Sequence, residues 1–185
     1  MTHRIEYTEE MVGNGHPTKA DTLNRFINIL TAQGDIPYAT AAATAAALAK
    51  GAANLKMFMN AGATAPEWAN GIKVGTFTRD MATASGDVGY TGVGFKPGLV
   101  ILIAALNDVA TLWSVGFSDG TTHGGMNQNY VPVMYIGTIP IYIRKASGDY
   151  QYAPTATMDA DGFTLPWSKA GTPTGTIIVN YIALR

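Results

Sequence analysis

The chain of 185 residues contains no cysteine. Disulfide bonds, cysteine-based zinc sites and thiol catalysis are therefore excluded. Charge is also scarce: 14% of the residues are charged, against roughly 25% in average domains. Because 12 basic residues nearly balance 13 acidic ones, the chain lacks the basic surface that binds nucleic acid or anionic membranes. We expect neither partner, and the low charge favours a surface that other protein chains cover.

Long hydrophobic runs are missing as well. The longest, Leu99 to Leu106, has eight residues, whereas a helix needs about 20 to span a membrane. The N-terminus has no basic segment followed by an apolar stretch, which a signal peptide requires. These features predict a soluble protein without membrane insertion.

The composition divides the chain into three segments. Residues 1–33 hold a large share of the charge, residues 34–70 are rich in Ala, Thr and Gly, and residues 71–185 carry a β-type apolar pattern. In the first segment, apolar residues at helical spacing predict a short helix over 19–30 whose apolar face must dock on something else. The residues of that docking face are Leu23, Phe26, Ile27 and Leu30.

The second segment is dominated by alanine. Residues 41–50 have high helix propensity and are followed by Gly51, which predicts a helix with a C-terminal glycine cap. Residues 54–60 alternate like a short strand, and Trp68 follows a turn. Because such a segment buries little apolar area by itself, it needs neighbours.

In the third segment, seven short apolar runs are separated by turns containing Gly, Pro, Asn or Asp. This pattern is typical of an antiparallel sandwich. We therefore expect a mainly β protein in which residues 71–185 form a C-terminal antiparallel β-sandwich. The predicted strands cover 72–76, 99–106, 113–117, 131–135, 139–143, 163–167 and 176–183.

Three parts of the chain resemble phage structural proteins. Residues 34–68, GDIPYATAAATAAALAKGAANLKMFMNAGATAPEW, are similar to a segment of tail fibres and related virion fibre proteins. That segment starts with Gly-Asp-x-x-Tyr-Ala, continues through x-Leu-Ala-x-Gly and a short apolar strand, and ends with Asn-x-Gly-x-x-Pro-x-Trp. Residues 92–100, 161–163 and 180–185 resemble the C-terminal β-domain of many phage tail proteins. Residues 12–25 look like the start of short phage structural proteins.

The resemblance implies a homotrimeric fibre in the virion of a tailed phage, made in the bacterial host cytoplasm. Residues 1–33 would be a docking arm, 34–70 a thin intertwined stem and 71–185 the head. Composition by itself implies only association, because the second segment has too few large side chains to cover its own backbone. If three copies surround one axis, the few large side chains of this segment can pack against the same residues of the other two copies. The residues expected to self-associate are Leu48, Leu55, Met57 and Trp68.

Catalytic patterns are weak. Residues 116–120, Gly-Phe-Ser-Asp-Gly, match the Gly-x-Ser-x-Gly nucleophile pattern, which needs a helix after the serine. The following Thr-Thr-His-Gly-Gly predicts a loop instead. The three histidines, His3, His16 and His123, have no metal-ligand spacing. We therefore expect no catalytic residue, no cofactor and no metal ion.

A polar stretch after His123 is predicted to be an exposed loop. It holds three side-chain amides and is flanked by an aromatic residue. Such a loop is either simply solvated or contacts a glycan or receptor on the host surface. The residues of this possible receptor-facing loop are Asn127, Gln128, Asn129 and Tyr130.

The leading hypothesis is a non-enzymatic structural component of a tailed-phage virion. It would be a short homotrimeric fibre attached through its N-terminus to capsid or tail proteins. Two alternatives stay open: a receptor- or glycan-binding module at the tip of a fibre, and a capsid decoration (cement) protein. An enzyme such as a depolymerase forms a third class, for which the sequence offers no catalytic set.

Overall fold

A computed structural model of the protein describes most of the chain. The described residues are 28–30, 32–41, 44–60, 64–107, 112–130 and 134–185. They divide into two compact units, Met1–Asn70 and Gly71–Arg185. Antiparallel strands build the described part of each unit, so the protein is mainly β, as the sequence predicts. Within the described residues, no helix has both the length and the apolar character needed to cross a bilayer.

The N-terminal helix predicted over 19–30 lies largely outside the described residues. So do three of the four residues predicted to dock on the virion, Leu23, Phe26 and Ile27. The fourth, Leu30, is described and is 36% exposed.

In the first unit, the described strands form two hairpins. Strand β1 (Ile36–Ala41) pairs with β2 (Thr44–Leu48), and β3 (Lys56–Met59) pairs with β4 (Pro66–Ala69). The short strand predicted over 54–60 is thus confirmed as β3.

The helix predicted over 41–50 is wrong, because this stretch contributes the end of β1 and all of β2. Alanine favours a helix by less than about 0.7 kcal/mol per residue over ordinary residues. The hydrogen bonds of a hairpin outweigh such a small preference. The Asp35 carboxylate accepts hydrogen bonds from the backbone nitrogens of Ala32 and Lys50, at 2.9 and 3.1 Å. These two bonds close the base of the hairpin.

Gly51 is not a helix cap, and it serves the approach of an aromatic ring instead. A Cβ at Gly51 would collide with the ring of Trp68. The Trp68 indole nitrogen donates a hydrogen bond of 2.7 Å to the backbone oxygen of Ala49. Trp68 therefore ties β4 to the end of the first hairpin.

In the second unit, the described strands form two antiparallel sheets. Their bounds are β5 (Ile72–Asp80), β6 (Gly86–Thr91), β7 (Leu99–Leu106), β8 (Trp113–Ser118), β9 (His123–Gln128), β10 (Met134–Gly137), β11 (Ile141–Ala146), β12 (Asp149–Ala153), β13 (Thr157–Asp159), β14 (Gly162–Ala170) and β15 (Thr176–Leu184). The first sheet has the strand order β10-β9-β8-β7-β15-β5. The second has the order β11-β12-β14-β13, with β6 also paired to β14.

Six of the seven strands predicted for this unit are confirmed within a few residues. The seventh, 131–135, begins outside the described residues and continues as β10. Strands β6, β9, β12 and β13 are not predicted, because Gly and polar residues weaken their apolar pattern. The exposed loop predicted after His123 is wrong: β9 lies between β8 and β10 and pairs with both.

The core of the second unit lies between its two sheets. Alternate side chains of β7 and β15 are buried and meet buried side chains of β11 and β14 in one cluster. The members from these strands include Val100, Leu102, Ala104, Ile141, Ile143, Phe163, Leu165, Trp167, Ile177, Val179 and Ala183. Two sheets sharing one core in this way have the layering of a β-sandwich.

The structure brings together two motifs that lie about 70 residues apart. The Asp161 carboxylate accepts hydrogen bonds from the backbone nitrogens of Gly92 and Gly94. Both glycines have a positive φ, 82° and 89°, which side-chain-bearing residues rarely adopt. Asp161 therefore holds the loop between β6 and β7 in its shape.

Candidate functional site

The outward side of the first sheet is apolar and exposed. Side chains along a strand alternate between the two faces of a sheet, and here the outward set is mostly hydrophobic, with threonine, asparagine and glutamine side chains among it. Ile136 is 81% exposed, Val74 66% and Met134 60%. Phe117 and Ile103 are each 43% exposed. We call this surface the outer face; it comprises the outward-pointing residues of β5, β7, β8, β9, β10 and β15.

Strand register joins these residues into continuous rows across the sheet. One row runs from Ile136 through Met126 and Val115 to Ile103, and it continues on β15 and β5 with the polar Asn180 and Thr76. Another runs from Phe117 through Ile101 and Ile182 to Val74.

The outer face is large. Six strands about 4.8 Å apart, with about seven residues each at about 3.4 Å per residue, span a flat area on the order of 600 Å². The largest apolar patch of a typical monomer is about 300–600 Å². Among the described outward positions of these strands, the one ionisable residue is Asp80, at the end of edge strand β5. This surface is suited to contact with another apolar surface.

The outer face was not predicted from the sequence, although a signal for it is present there. Strands β7 and β15 read LVILIAAL and TIIVNYIAL, so apolar residues occupy both alternating sets. A strand that is apolar on both sides is typical of a sheet covered on both faces.

The residues predicted to self-associate lie in the first unit and are only partly exposed. Leu48 and Leu55 are half-buried, and Met57 is 51% exposed. Met57 lies opposite Trp68 in the β3–β4 ladder, while Leu48 lies opposite Ile36 in the other hairpin. The structure therefore brings two of the four residues, Met57 and Trp68, into one cross-strand pair.

Two glycines in the first sheet allow the chain to cross from β10 to β11. A Cβ at Gly116 would collide with the backbone oxygen of Pro140. A Cβ at Gly125 would collide with the backbone oxygen of Ile139. Buried Ser114 secures the crossing: its hydroxyl donates to the Pro140 oxygen over 3.3 Å and accepts from the Tyr142 nitrogen over 3.1 Å. The start of β11 is thereby held against β8 and β9.

This crossing leaves a cavity of about 370 Å³ between the β9–β10 hairpin and β11. We call it the β9–β11 pocket. Its polar and aromatic lining residues are Asn127, Asn129, Tyr135, Tyr142 and Arg144, and residues 136–139 complete the wall.

Two of the four residues predicted to face a receptor line this pocket. Asn127 and Asn129 are only 8% and 6% exposed, and the side-chain oxygen of each has no hydrogen-bond partner among the described residues. Gln128 instead belongs to the outer face, where its side-chain oxygen accepts a 3.1 Å hydrogen bond from Trp113. Tyr130 is 43% exposed beside the pocket. The amides therefore lie in a concave site and not on a solvated loop.

Arg144 supplies positive charge to the pocket. Its guanidinium lies 5.2 Å from the centre of the Tyr130 ring, a cation–π arrangement. Its Nε donates a long hydrogen bond, 3.4 Å, to the backbone oxygen of Ala146. Within the described part of the chain, no carboxylate is paired with this guanidinium.

Tyr142 presents a neutral phenol to the same pocket. Partial burial raises its pKa above the usual value, although nearby Arg144 acts in the opposite direction. Its ring packs in a cluster with Tyr150 and Tyr152, at centroid distances of 5.5 and 5.9 Å. No sequence pattern connects Tyr135, Tyr142 or Arg144 with the amides, because these three residues lie on other strands.

The serine of the Gly-x-Ser-x-Gly pattern is the last residue of β8, immediately before the turn that leads to β9. Ser118 is fully buried, and its hydroxyl is 2.8 Å from Nδ1 of His123. The same hydroxyl accepts a 3.1 Å hydrogen bond from the nitrogen of Gly120. Because β9 follows the turn, the helix that a nucleophile elbow requires does not follow this serine.

Asp119 completes that turn. Its carboxylate accepts hydrogen bonds from the backbone nitrogens of Thr122 and Thr121, at 2.6 and 2.8 Å. These bonds favour the charged form and lower the pKa of Asp119 below its usual value. The geometry of residues 118–123 is thus that of a hydrogen-bonded β-turn.

Among the described residues, no group of three or more His, Asp or Glu side chains is arranged to hold a metal ion. Comparison of the chain with protein-family models, curated proteins and solved structures gave no match. The outer face and the β9–β11 pocket are the two surface features that point to a function.

Proposed function

We propose that the protein is a non-enzymatic structural component of a tailed-phage virion that acts as a self-associated assembly, a short homotrimeric fibre. The observation that carries this proposal is the outer face of the first sheet. A single chain leaves Ile136, Val74 and Met134 mostly in water, and a second copy offers an equally apolar surface to cover them.

The size of the outer face is sufficient for stable association. Burial of the apolar part of this surface favours association by about 25 cal/mol per Å² before the costs of binding are subtracted. Loss of translational and rotational freedom opposes it by about 4–15 kcal/mol. A standard interface buries about 800 Å² of accessible surface per partner, and a pleated surface exposes more than its flat area. Self-association through this face is therefore energetically reasonable.

The trimeric state and the virion role are supported by the resemblance of residues 34–68 to fibre segments. In this proposal residues 34–70 are the stem, in which the exposed Met57 and the neighbouring Trp68 contact other copies. Residues 1–33 attach the fibre to a capsid or tail protein. A capsid decoration protein is the alternative if the chain associates only on the virion.

Light scattering of the full chain tests the proposal directly. We expect a mass of three times 19.5 kDa. The double variant Val74→Glu/Ile136→Glu places charge on both edges of the outer face, so the mass should fall to that of smaller species. The matched control Ser147→Glu adds a charge in the exposed β11–β12 turn and should leave the mass unchanged.

Two results would contradict the proposal. If the wild-type chain is a monomer at tens of micromolar, it does not self-associate, and the decoration alternative is favoured. An unchanged mass in the double variant, with an unchanged circular dichroism spectrum, would show that the outer face is not the contact surface. Met57→Glu, measured beside them, tests the stem separately.

A further inference from the structure

We propose that the β9–β11 pocket is a binding site for a sugar unit that carries an anionic group. Ile136 belongs both to the wall of this pocket and to the outer face, so binding is measured on the wild-type assembly. The inference rests on three features of the pocket: two buried amides with unpartnered oxygens, two tyrosine rings and one cation.

The amides indicate a ligand rich in hydrogen-bond donors. A buried polar atom without a partner is costly, and native structures contain few of them. Here two such atoms, Oδ1 of Asn127 and Oδ1 of Asn129, belong to residues that line the same cavity. Each carboxamide also carries two N–H donors. The oxygens themselves have almost no accessible surface, so a ligand meets them once the carboxamides turn toward the cavity. Hydroxyl groups both donate and accept, and a ring bearing several of them then matches both functions of these side chains.

The tyrosines indicate that the ligand has an apolar side as well. Tyr135 is 49% exposed, so part of its ring is free to meet a ligand. Tyr142 is half-buried and lines the same cavity. Ligand sites are typically concave, lined by apolar and aromatic groups with a few polar ones. A sugar ring has such a mixed surface, with C–H groups on its faces and hydroxyls around its edge.

Arg144 distinguishes an anionic sugar from a neutral one. A guanidinium presents donors in a fork that matches a carboxylate or a phosphate. In the described residues Arg144 has no carboxylate partner, and the one hydrogen bond of its guanidinium uses Nε. Tyr130 holds the guanidinium at the side of the pocket. The remaining donors are therefore available to an anion on the sugar.

The size of the cavity limits the ligand to a small unit. Its 370 Å³ lies near the lower end of ligand sites, which span about 300–1,000 Å³. One or two sugar residues of a longer chain fit this range better than an extended oligomer does.

The test is calorimetric titration of the full chain with four probes. They are a short oligosaccharide containing glucuronate, a neutral glucose oligomer of equal length, glucose 6-phosphate and inorganic phosphate. We expect the glucuronate oligosaccharide or the sugar phosphate to bind at least tenfold more tightly than the neutral oligomer. The affinities of the glucuronate oligosaccharide and the sugar phosphate, compared with each other, show whether the preferred anion is a carboxylate or a phosphate. Inorganic phosphate should bind weakly, because it lacks the ring.

Two variants assign binding to the pocket. Arg144→Gln should reduce the preference for the anionic sugar to less than threefold, with weak binding of the neutral oligomer retained. Asn129→Leu should abolish sugar binding while the thermal midpoint stays the same or rises, because it replaces an unsatisfied buried amide by an apolar group of similar size. The control Asn107→Leu changes an exposed asparagine outside the pocket and should leave binding intact.

Several outcomes overturn the inference. No binding of any sugar probe at millimolar concentration would remove it. Equal affinity for the neutral and anionic oligomers would show that Arg144 does not bind an anionic group on the sugar. Binding that survives Asn129→Leu would place the ligand elsewhere. A large drop in the thermal midpoint of Asn129→Leu would show that the amide has a structural partner instead.

Discussion

The indole nitrogen of Trp167 donates a hydrogen bond of 2.9 Å to the hydroxyl of Tyr90 in the interior of the second unit. Trp167 is only 1% exposed. Strands β6 and β14, which carry these residues, are paired, and the Tyr90 ring also stacks on Phe77 at 3.8 Å. Burial raises the pKa of Tyr90, so its hydroxyl stays neutral.

Tyr90→Phe should therefore destabilise the protein. The substitution keeps the ring stacking but leaves the buried Trp167 N–H without its acceptor, at a cost of about 1–3 kcal/mol in the free energy of unfolding. Urea denaturation followed by tryptophan fluorescence measures the change. Tyr150→Phe is the control: its hydroxyl makes no hydrogen bond in the described part of the chain, so we expect a change within about 0.5 kcal/mol. Equal effects of the two variants would contradict the role of the Trp167–Tyr90 bond.

Gly125→Ala should disrupt the crossing from β10 to β11. The new methyl group would meet the backbone oxygen of Ile139, and backbone cannot move aside as a flexible side chain does. Steric strain of this kind in a packed region costs about 1–3 kcal/mol. Thermal denaturation measures the loss, and the variant should also weaken any ligand of the β9–β11 pocket.

Gly89→Ala is the matched control for that substitution. Gly89 is likewise a strand glycine, but a Cβ there meets only the Thr164 hydroxyl at an ordinary 3.6 Å. We expect the thermal midpoint to stay level or to rise slightly. If Gly125→Ala were as well tolerated as Gly89→Ala, the close crossing would not be a constraint on the fold.

Asp161→Ala should loosen the loop between β6 and β7. It removes the acceptor for the backbone nitrogens of Gly92 and Gly94, with an expected loss of about 1–3 kcal/mol in unfolding free energy. Hydrogen exchange at these two amides should accelerate more than exchange in β7. Asp87→Ala, at an exposed position of β6, provides the comparison and should change neither quantity. Unchanged protection of both amides would refute the assignment.

The turn at Asp119 should contribute a pH-dependent stability. Its pKa is lowered in the folded protein by bonds from Thr122 and Thr121, whereas an unfolded chain has a pKa of about 3.9. The unfolded state therefore binds the proton more readily, and the stabilisation is fully present above about pH 4. It is lost as the pH falls through the folded pKa.

Comparison with Asp119→Asn isolates this contribution. The difference in unfolding free energy between wild type and variant should be constant near neutral pH and should shrink below about pH 4. A carboxyl titration by NMR should give a pKa below the unfolded value. A difference that grows on acidification would have the wrong sign for this mechanism.

Part of the candidate site could be predicted from the sequence. Asn127 and Asn129 stand out as amides beside an aromatic residue, and the structure places both in a pocket. Their burial could not be predicted, because the Gly-rich β9 has no apolar alternation. Tyr142 and Arg144 reach the same pocket only because Gly116 and Gly125 let the intervening chain pass close to the sheet.

The sequence by itself determined the strands in which apolar and polar residues alternate or the apolar run is unbroken, such as β7, β14 and β15. This follows because period-two patterning acts locally, within one strand. Tertiary structure alone decided that β9 is a strand and that residues 44–48 extend in a hairpin despite their helix propensity. In both cases the hydrogen bonds come from segments elsewhere in the chain, which outweigh a small local preference.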